Sequence, residues 1–269
     1  MKTPFKISSV RIHFVFLFTL LLLATGENAA IFAEDATNVM AVASDVSQYP
    51  KDPSSLPGKG PAQNWNGFPQ IWAKRHAEWA NGNNQGRGAV VFLGDSITQG
   101  WNSLANAFPN IKVANRGISG DTTRGVLYRL KSDVLDLDPK AIVLLIGTND
   151  VGLGAKPKDV ADNIETILQD IKKFNPHLPV IVCKIMPSSE KMQRPPGTIE
   201  KINVRVAAKI KNDPQFVLCD TWSIYANKDG DCPQDEFPDL LHPNALGYDK
   251  WAAELRPIFA KLNLGSGPM

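Results

Sequence analysis

Ala89-Val90-Val91-Phe92-Leu93-Gly94-Asp95-Ser96-Ile97 runs from five apolar residues straight into a glycine, a carboxylate and a serine. A short apolar run of this kind, bounded by a glycine, is the pattern of a buried strand, and it sets the serine hydroxyl at the strand's tip. A serine hydroxyl is inert at its free pKa. The stretch therefore carries chemistry only if a base, an orienting acid and oxyanion donors stand elsewhere in the chain. Working outward, three further stretches offer those parts: Asn115-Arg116-Gly117-Ile118-Ser119-Gly120-Asp121-Thr122-Thr123, then Gly147-Thr148-Asn149-Asp150 after a second apolar run, then Asp239-Leu240-Leu241-His242.

Four more short apolar runs follow the first, at 111–114, 141–146, 180–185 and 216–218, so five strands are expected. Helical periods alternate with them. Val160, Ile164, Ile167, Leu168 and Ile171 share one face, as do Ile199, Ile202, Val206 and Ile210. Upstream, Ile71, Trp72, Arg75, His76 and Trp79 recur at three- and four-residue spacing and predict a helix from about Pro69 to Asn81-Gly82. Strands separated by helices imply right-handed crossovers and a parallel sheet covered on both faces, an α/β/α sandwich. In such sheets the ligand lies beyond the C-terminal strand ends. Ser96, Gly120, Asn149, Asp239 and His242 all follow strands and so converge on one sheet edge.

The first residues read as an export signal. Lys2, Lys6 and Arg11 precede the apolar stretch 14–24, which is short for a bilayer span of about 20 residues. Cleavage is expected after Ala33; an uncleaved anchor is the alternative. Loss of residues 1–33 removes three cations and one anion, Glu27, and takes the formal charge of the 269-residue chain from +2 to zero. A neutral chain without a Lys/Arg cluster makes nucleic acid and strongly anionic membranes poor partners. Residues 34–64, with Pro50, Pro53, Pro57 and Pro61, read as a flexible arm. Cys183, Cys219 and Cys232 are too few for a disulfide scaffold and lack zinc spacing. An oxidising destination would permit one bridge, for which Cys219 and Cys232 are the better pair, Cys183 lying in an apolar strand. Asp229, Asp231 and Asp235 lack the EF-hand pattern and read as a solvated loop.

Four histidines occur, and elimination is informative. His13 lies in the signal, His76 on the first helix, and His177 in the turn Asn175-Pro176-His177-Leu178-Pro179, which leaves His242. Asp239, three residues earlier, can hold one ring nitrogen while the other faces a serine. Singly, these pieces have ordinary explanations: Ser96 or Asp95 as a helix cap, Gly120 as a turn glycine, Asn149 as a cap. Asp95 is assigned to the backbone donors of its own turn. The five together are far more specific.

In this order the motifs resemble those of the SGNH hydrolases of the GDSL esterase/lipase superfamily, whose name residues match Ser96, Gly120, Asn149 and His242. Within it, residues 117–124, Val126-Leu127-Tyr128-Arg129-Leu130 and Gly147-Thr148-Asn149 are similar to the catalytic subunits of platelet-activating-factor acetylhydrolase. The resemblance spans about 68–262 and sets the hydrolase domain at 65–269. It implies a flavodoxin-like five-stranded fold and makes Ser96 the nucleophile, His242 the general base and then acid, and Asp239 its partner. It makes the N–H groups of Ser96 and Gly120 and the Asn149 amide the oxyanion donors. No metal or cofactor is required. The expected protein is an exported, periplasmic or extracellular esterase for short acyl groups, acetyl above all, on a sugar or a lipid.

Rival readings remain distinguishable. An α/β-hydrolase elbow is G-x-S-x-G, and Thr98 occupies the second glycine position. A nucleotide-binding protein would need a Gly-rich phosphate motif after a strand, which is absent. A lipase for longer chains, or a non-catalytic carbohydrate- or lipid-binding module on the same fold, shares every feature above except the reaction.

Overall fold

Strand β1 (Val90–Gly94) is buried along its whole length, and so is β3 (Ala141–Leu145) beside it. In the computed structural model, which describes residues 46–82 and 86–265, these two form the centre of a five-stranded sheet. The sheet is completed by β2 (Val113–Gly117), β4 (Val180–Cys183) and β5 (Phe216–Cys219) in the order 2-1-3-4-5, with every pairing parallel. This is the flavodoxin-like order. Its topological switch point lies between β1 and β3, the place where open α/β sheets bind ligands. The export segment, 1–33, lies outside the described residues.

Period-two alternation divides the core into two layers. Val91, Leu93, Ile142 and Leu144 face one side, against α4 (Thr123–Asp133), α6 (Pro157–Phe174) and α7 (Pro196–Ile210). Val90, Phe92, Val143 and Leu145 face the other, which is aromatic: Trp101, Phe108, Trp251 and Phe259 pack there, the last two from α8 (Ala245–Lys261). The buried stripe of α6 is the predicted one, Val160, Ile164, Ile167, Leu168 and Ile171, and Pro157 at its start needs no hydrogen-bonded N–H. Two short helices occupy strand exits, α2 (Ser96–Gln99) after β1 and α5 (Thr148–Gly152) after β3, and a third, α3 (Leu104–Ala107), leads toward β2.

Two expectations are corrected here. The arm is not loose over its described part. Tyr49 and Leu56 are buried against α1 (Phe68–Asn81) and Ile118, and Val46, also buried, accepts at its carbonyl from Trp72 Nε1 at 2.8 Å. Buried Arg124 reaches into the turn-rich segment and donates to the carbonyls of Pro57 (3.1 Å), Gly60 (2.9 Å), Ser54 (2.8 Å) and Leu56. Lys59 and Asn163 exchange two hydrogen bonds of 2.8 Å. A proline-rich strap with three apolar anchors thus finds its backbone partners in side chains rather than in a ladder. The second correction concerns the cysteines. All three are free and buried, and the strand register sets Cys219 beside Cys183, not Cys232. Cys232 packs within the aromatic layer.

Candidate active site

Gly94 ends β1 because nothing larger fits: a Cβ there would lie 2.4 Å from the carbonyl oxygen of Leu145 and 2.2 Å from Thr98 Oγ1. The close approach brings β1 and β3 together at the switch point and turns the chain into α2. Asp95 caps that turn, accepting from Ile97 N–H at 2.9 Å. Its other oxygen, Oδ2, is buried without a partner among the described residues. Burial pushes the Asp95 pKa up to about 7, so a proton on Oδ2 relieves the cost of an unpaired charge.

Ser96 begins α2, and its hydroxyl lies 2.9 Å from Nε2 of His242. On the far side of the ring, Nδ1 lies 2.6 Å from Asp239 Oδ2. An ionised carboxylate only accepts, so the proton sits on Nδ1 and Nε2 is left to accept from the serine. Asp239 Oδ1 also accepts from the backbone N–H groups of Leu241 (3.0 Å) and His242 (2.7 Å). Burial works to raise the Asp239 pKa, but these hydrogen bonds and the ring outweigh it and hold the carboxyl below its ordinary range. The turn is tight: Leu240 has φ +62°, and Ser188 Oγ donates to its carbonyl at 2.7 Å.

Three candidate donors follow the exits of β1, β2 and β3. Gly120 has φ +87°, a conformation a Cβ would strain, and its flanking N–H groups are used: Ser119 donates to Gln99 Oε1 (2.7 Å) and Asp121 to Ile118 O (3.0 Å). The N–H groups of Gly120 and Ser96 donate to no group among the described residues. Asn149 follows β3 on α5 and is buried, with Nδ2 donating to Asp121 O at 2.9 Å and its second hydrogen uncommitted. All five residues singled out from the sequence therefore lie at one sheet edge.

Other polar groups, most of them buried, hold this edge. Arg129, fully buried, donates to Asp121 Oδ2 (2.8 Å) and to Gly94 O (3.0 Å), tying the Gly120 loop to the serine turn. Burial raises the Asp121 pKa to about 6 against the pull of Arg129, and that of Asp150 to about 7. Asp150 accepts from Thr123 N–H (3.0 Å) and Oγ1 (2.5 Å), linking α5 to α4. Arg194, on the loop before α7, donates to Asn149 Oδ1 at 3.1 Å. Gln63 from the strap and Phe68 from the start of α1 flank Gly120: their Nε2 and Cε2 would lie 3.6 and 3.2 Å from a Cβ built there. Arg129 lies in the motif Val126-Leu127-Tyr128-Arg129-Leu130, but Arg194 and Gln63 lie in aperiodic, proline-flanked segments with no signal to raise them. His76 is structural, bound to Trp72 O (3.0 Å) and Asp133 Oδ1 (3.2 Å). Asp229 and Asp231 belong to a turn, their N–H groups donating to Asn227 Oδ1.

The GDSL-like Lipase/Acylhydrolase family matches residues 92–250. Among relatives, the alpha2 subunit of platelet-activating factor acetylhydrolase IB from Homo sapiens is 33% identical over 180 residues, 64% of this chain and 76% of that one. The alpha1 subunit from Bos taurus is 27% identical over 198 residues, 71% and 83% of the two chains. Among solved structures, a GDSL-like lipase from Bacteroides thetaiotaomicron superposes with a TM-score of 0.61 at 25% identity, over 70% of this chain and 97% of that one. With its 2-1-3-4-5 parallel sheet and a serine at the switch point, the chain belongs to the GDSL-like lipase/acylhydrolase family and is an ester hydrolase.

Proposed function

We propose that Ser96 is the nucleophile of a short-chain acyl esterase, with an acetylated carbohydrate as the substrate class. The observation that carries the assignment is the hydrogen-bonded row Asp239–His242–Ser96, at 2.6 and 2.9 Å, at the sheet edge that also holds two N–H groups unused among the described residues and an amide hydrogen. Ser96 Oγ attacks the acyl carbon while Nε2 of His242 takes its proton. The imidazolium is stabilised by Asp239, and the oxyanion is met by Ser96 N–H, Gly120 N–H and Asn149 Nδ2. His242 then protonates the departing alcohol. Water, activated by the same nitrogen, releases the acid and restores the serine.

Preference for acetyl is supported by the similarity to acetylhydrolase subunits and by the absence, between the strands, of a long apolar segment that would enclose a fatty chain. Export is supported by the basic residues and apolar stretch at 2–24, and the neutral charge of the chain after residue 33 suits an uncharged glycan. Among the described residues no helix is long and apolar enough to cross a membrane. A p-nitrophenyl ester series from acetate to palmitate, followed by acetylated oligosaccharides and phospholipids, tests the reading. Each methylene buried in an acyl groove would add about 0.8 kcal/mol, so such a groove reveals itself as kcat/KM rising with chain length. A maximum at C2 to C4 with deacetylation of sugars is expected; a maximum at C8 or beyond, or fatty-acid release from lipids, makes the protein a lipase or lysophospholipase.

A further inference from the structure

A carboxamide helps an oxyanion only with its nitrogen turned toward it; flipped by 180°, the same side chain presents an acceptor and repels the charge. Asn149 is held against that flip from both sides. Its Nδ2 meets a carbonyl, Asp121 O at 2.9 Å, and its Oδ1 meets a cation, Arg194 Nη2 at 3.1 Å. Reversal would set donor against donor at the guanidinium and acceptor against acceptor at Asp121. The guanidinium is itself fixed. Nε donates to Thr148 O (3.1 Å) and Thr148 Oγ1 (3.2 Å), and Nη1 to Met192 O (2.6 Å). Gly152 makes room for it, since a Cβ there would come within 2.9 Å of Arg194 Cζ. A planar fork reaches these acceptors at once, as a lysine ammonium does not.

We propose that Arg194 is a positioning residue for ester hydrolysis, locking the Asn149 amide with its free N–H toward the oxyanion and strengthening that donor through a charge-assisted hydrogen bond to Oδ1. The inference rests on the reading of Asn149 as an oxyanion donor. Arg194 acts through Asn149 and holds no part of the ground-state substrate. The same loop also steadies the other half of the site, because Ser188 donates to Leu240 O beside Asp239.

The test is a double-mutant cycle with p-nitrophenyl acetate, kcat and KM resolved and folding checked by circular dichroism and thermal melts. Asn149→Ala is expected to lower kcat about 10²- to 10³-fold. Arg194→Ala is expected to lower kcat about 10- to 10²-fold with KM within about twofold, and the double variant to match Asn149→Ala within about threefold, because the lock has nothing left to hold. Should Arg194→Ala not fold, Arg194→Lys carries the same cycle with the same non-additivity. Losses that multiply in the double variant, or an effect of Arg194 on KM alone, overturn the proposal while leaving the Asn149 reading intact. An unchanged kcat in Asn149→Ala overturns both.

Discussion

The two halves of the site are built differently. On the side proposed to hold the oxyanion, Asn149, Asp121, Asp150 and Arg129 are all buried, and each is held by at least two hydrogen bonds reaching another element or loop. On the side proposed for proton transfer, the side chains of His242 and Asp239 are 41% and 52% exposed, on a tight turn whose bonds are mostly its own. The difference matches the work proposed for each. Charge that develops on an oxygen is stabilised best by donors fixed beforehand in a dry place. A base that must pass protons to a leaving alcohol and receive them from water needs access to both.

Ser96→Ala belongs to both halves and should cost about 10⁶-fold in kcat with p-nitrophenyl acetate, leaving the circular-dichroism spectrum unchanged. Retained turnover would remove the serine from the mechanism. Arg129→Ala leaves Asp121 buried and unpaired, so urea unfolding should show a loss of about 3–5 kcal/mol. A loss below about 1 kcal/mol would mean that the buried half is not over-determined.

The serine turn also makes the buried half sensitive to pH. The Asp95 carboxyl has its folded-state pKa raised to about 7, so between the ordinary carboxylate range and that value the folded protein holds a proton that the unfolded chain has released. Stability therefore falls as pH rises from about 4 to about 7 and levels off above. Asp95→Asn, whose Oδ1 can still cap Ile97, should reduce the fall between pH 5 and 8 by about 2 kcal/mol. An identical pH slope in variant and parent would show that Asp95 is ionised in the fold. Smallest of all, His242→Ala should change the unfolding free energy by no more than about 0.5 kcal/mol while abolishing turnover. A larger loss would erase the distinction between the halves.

Much of this was legible from local pattern. The strand runs and the α6 stripe are periodic, and parallel α/β topology then brings every strand exit to one edge, so Ser96, Gly120, Asn149, Asp239 and His242 were visible without coordinates. What was not legible depends on long-range pairing. The partner of Cys219 is set by the register of β4 on β5, which a single chain does not print. The strap was read as loose because prolines conceal its order; its partner is Arg124, about 64 to 70 residues away. Arg194 escaped for the same reason, since its contacts to Thr148 and Asn149 cross from one strand exit to the next.

The central claim is that Ser96, activated by His242, forms a covalent acyl intermediate. Intact-mass and peptide mapping after reaction with a fluorophosphonate probe tests it most directly. One adduct, on Ser96, is predicted, absent in Ser96→Ala and slowed by orders of magnitude in His242→Ala. An adduct on another residue, or full-rate labelling of Ser96 without His242, would contradict it.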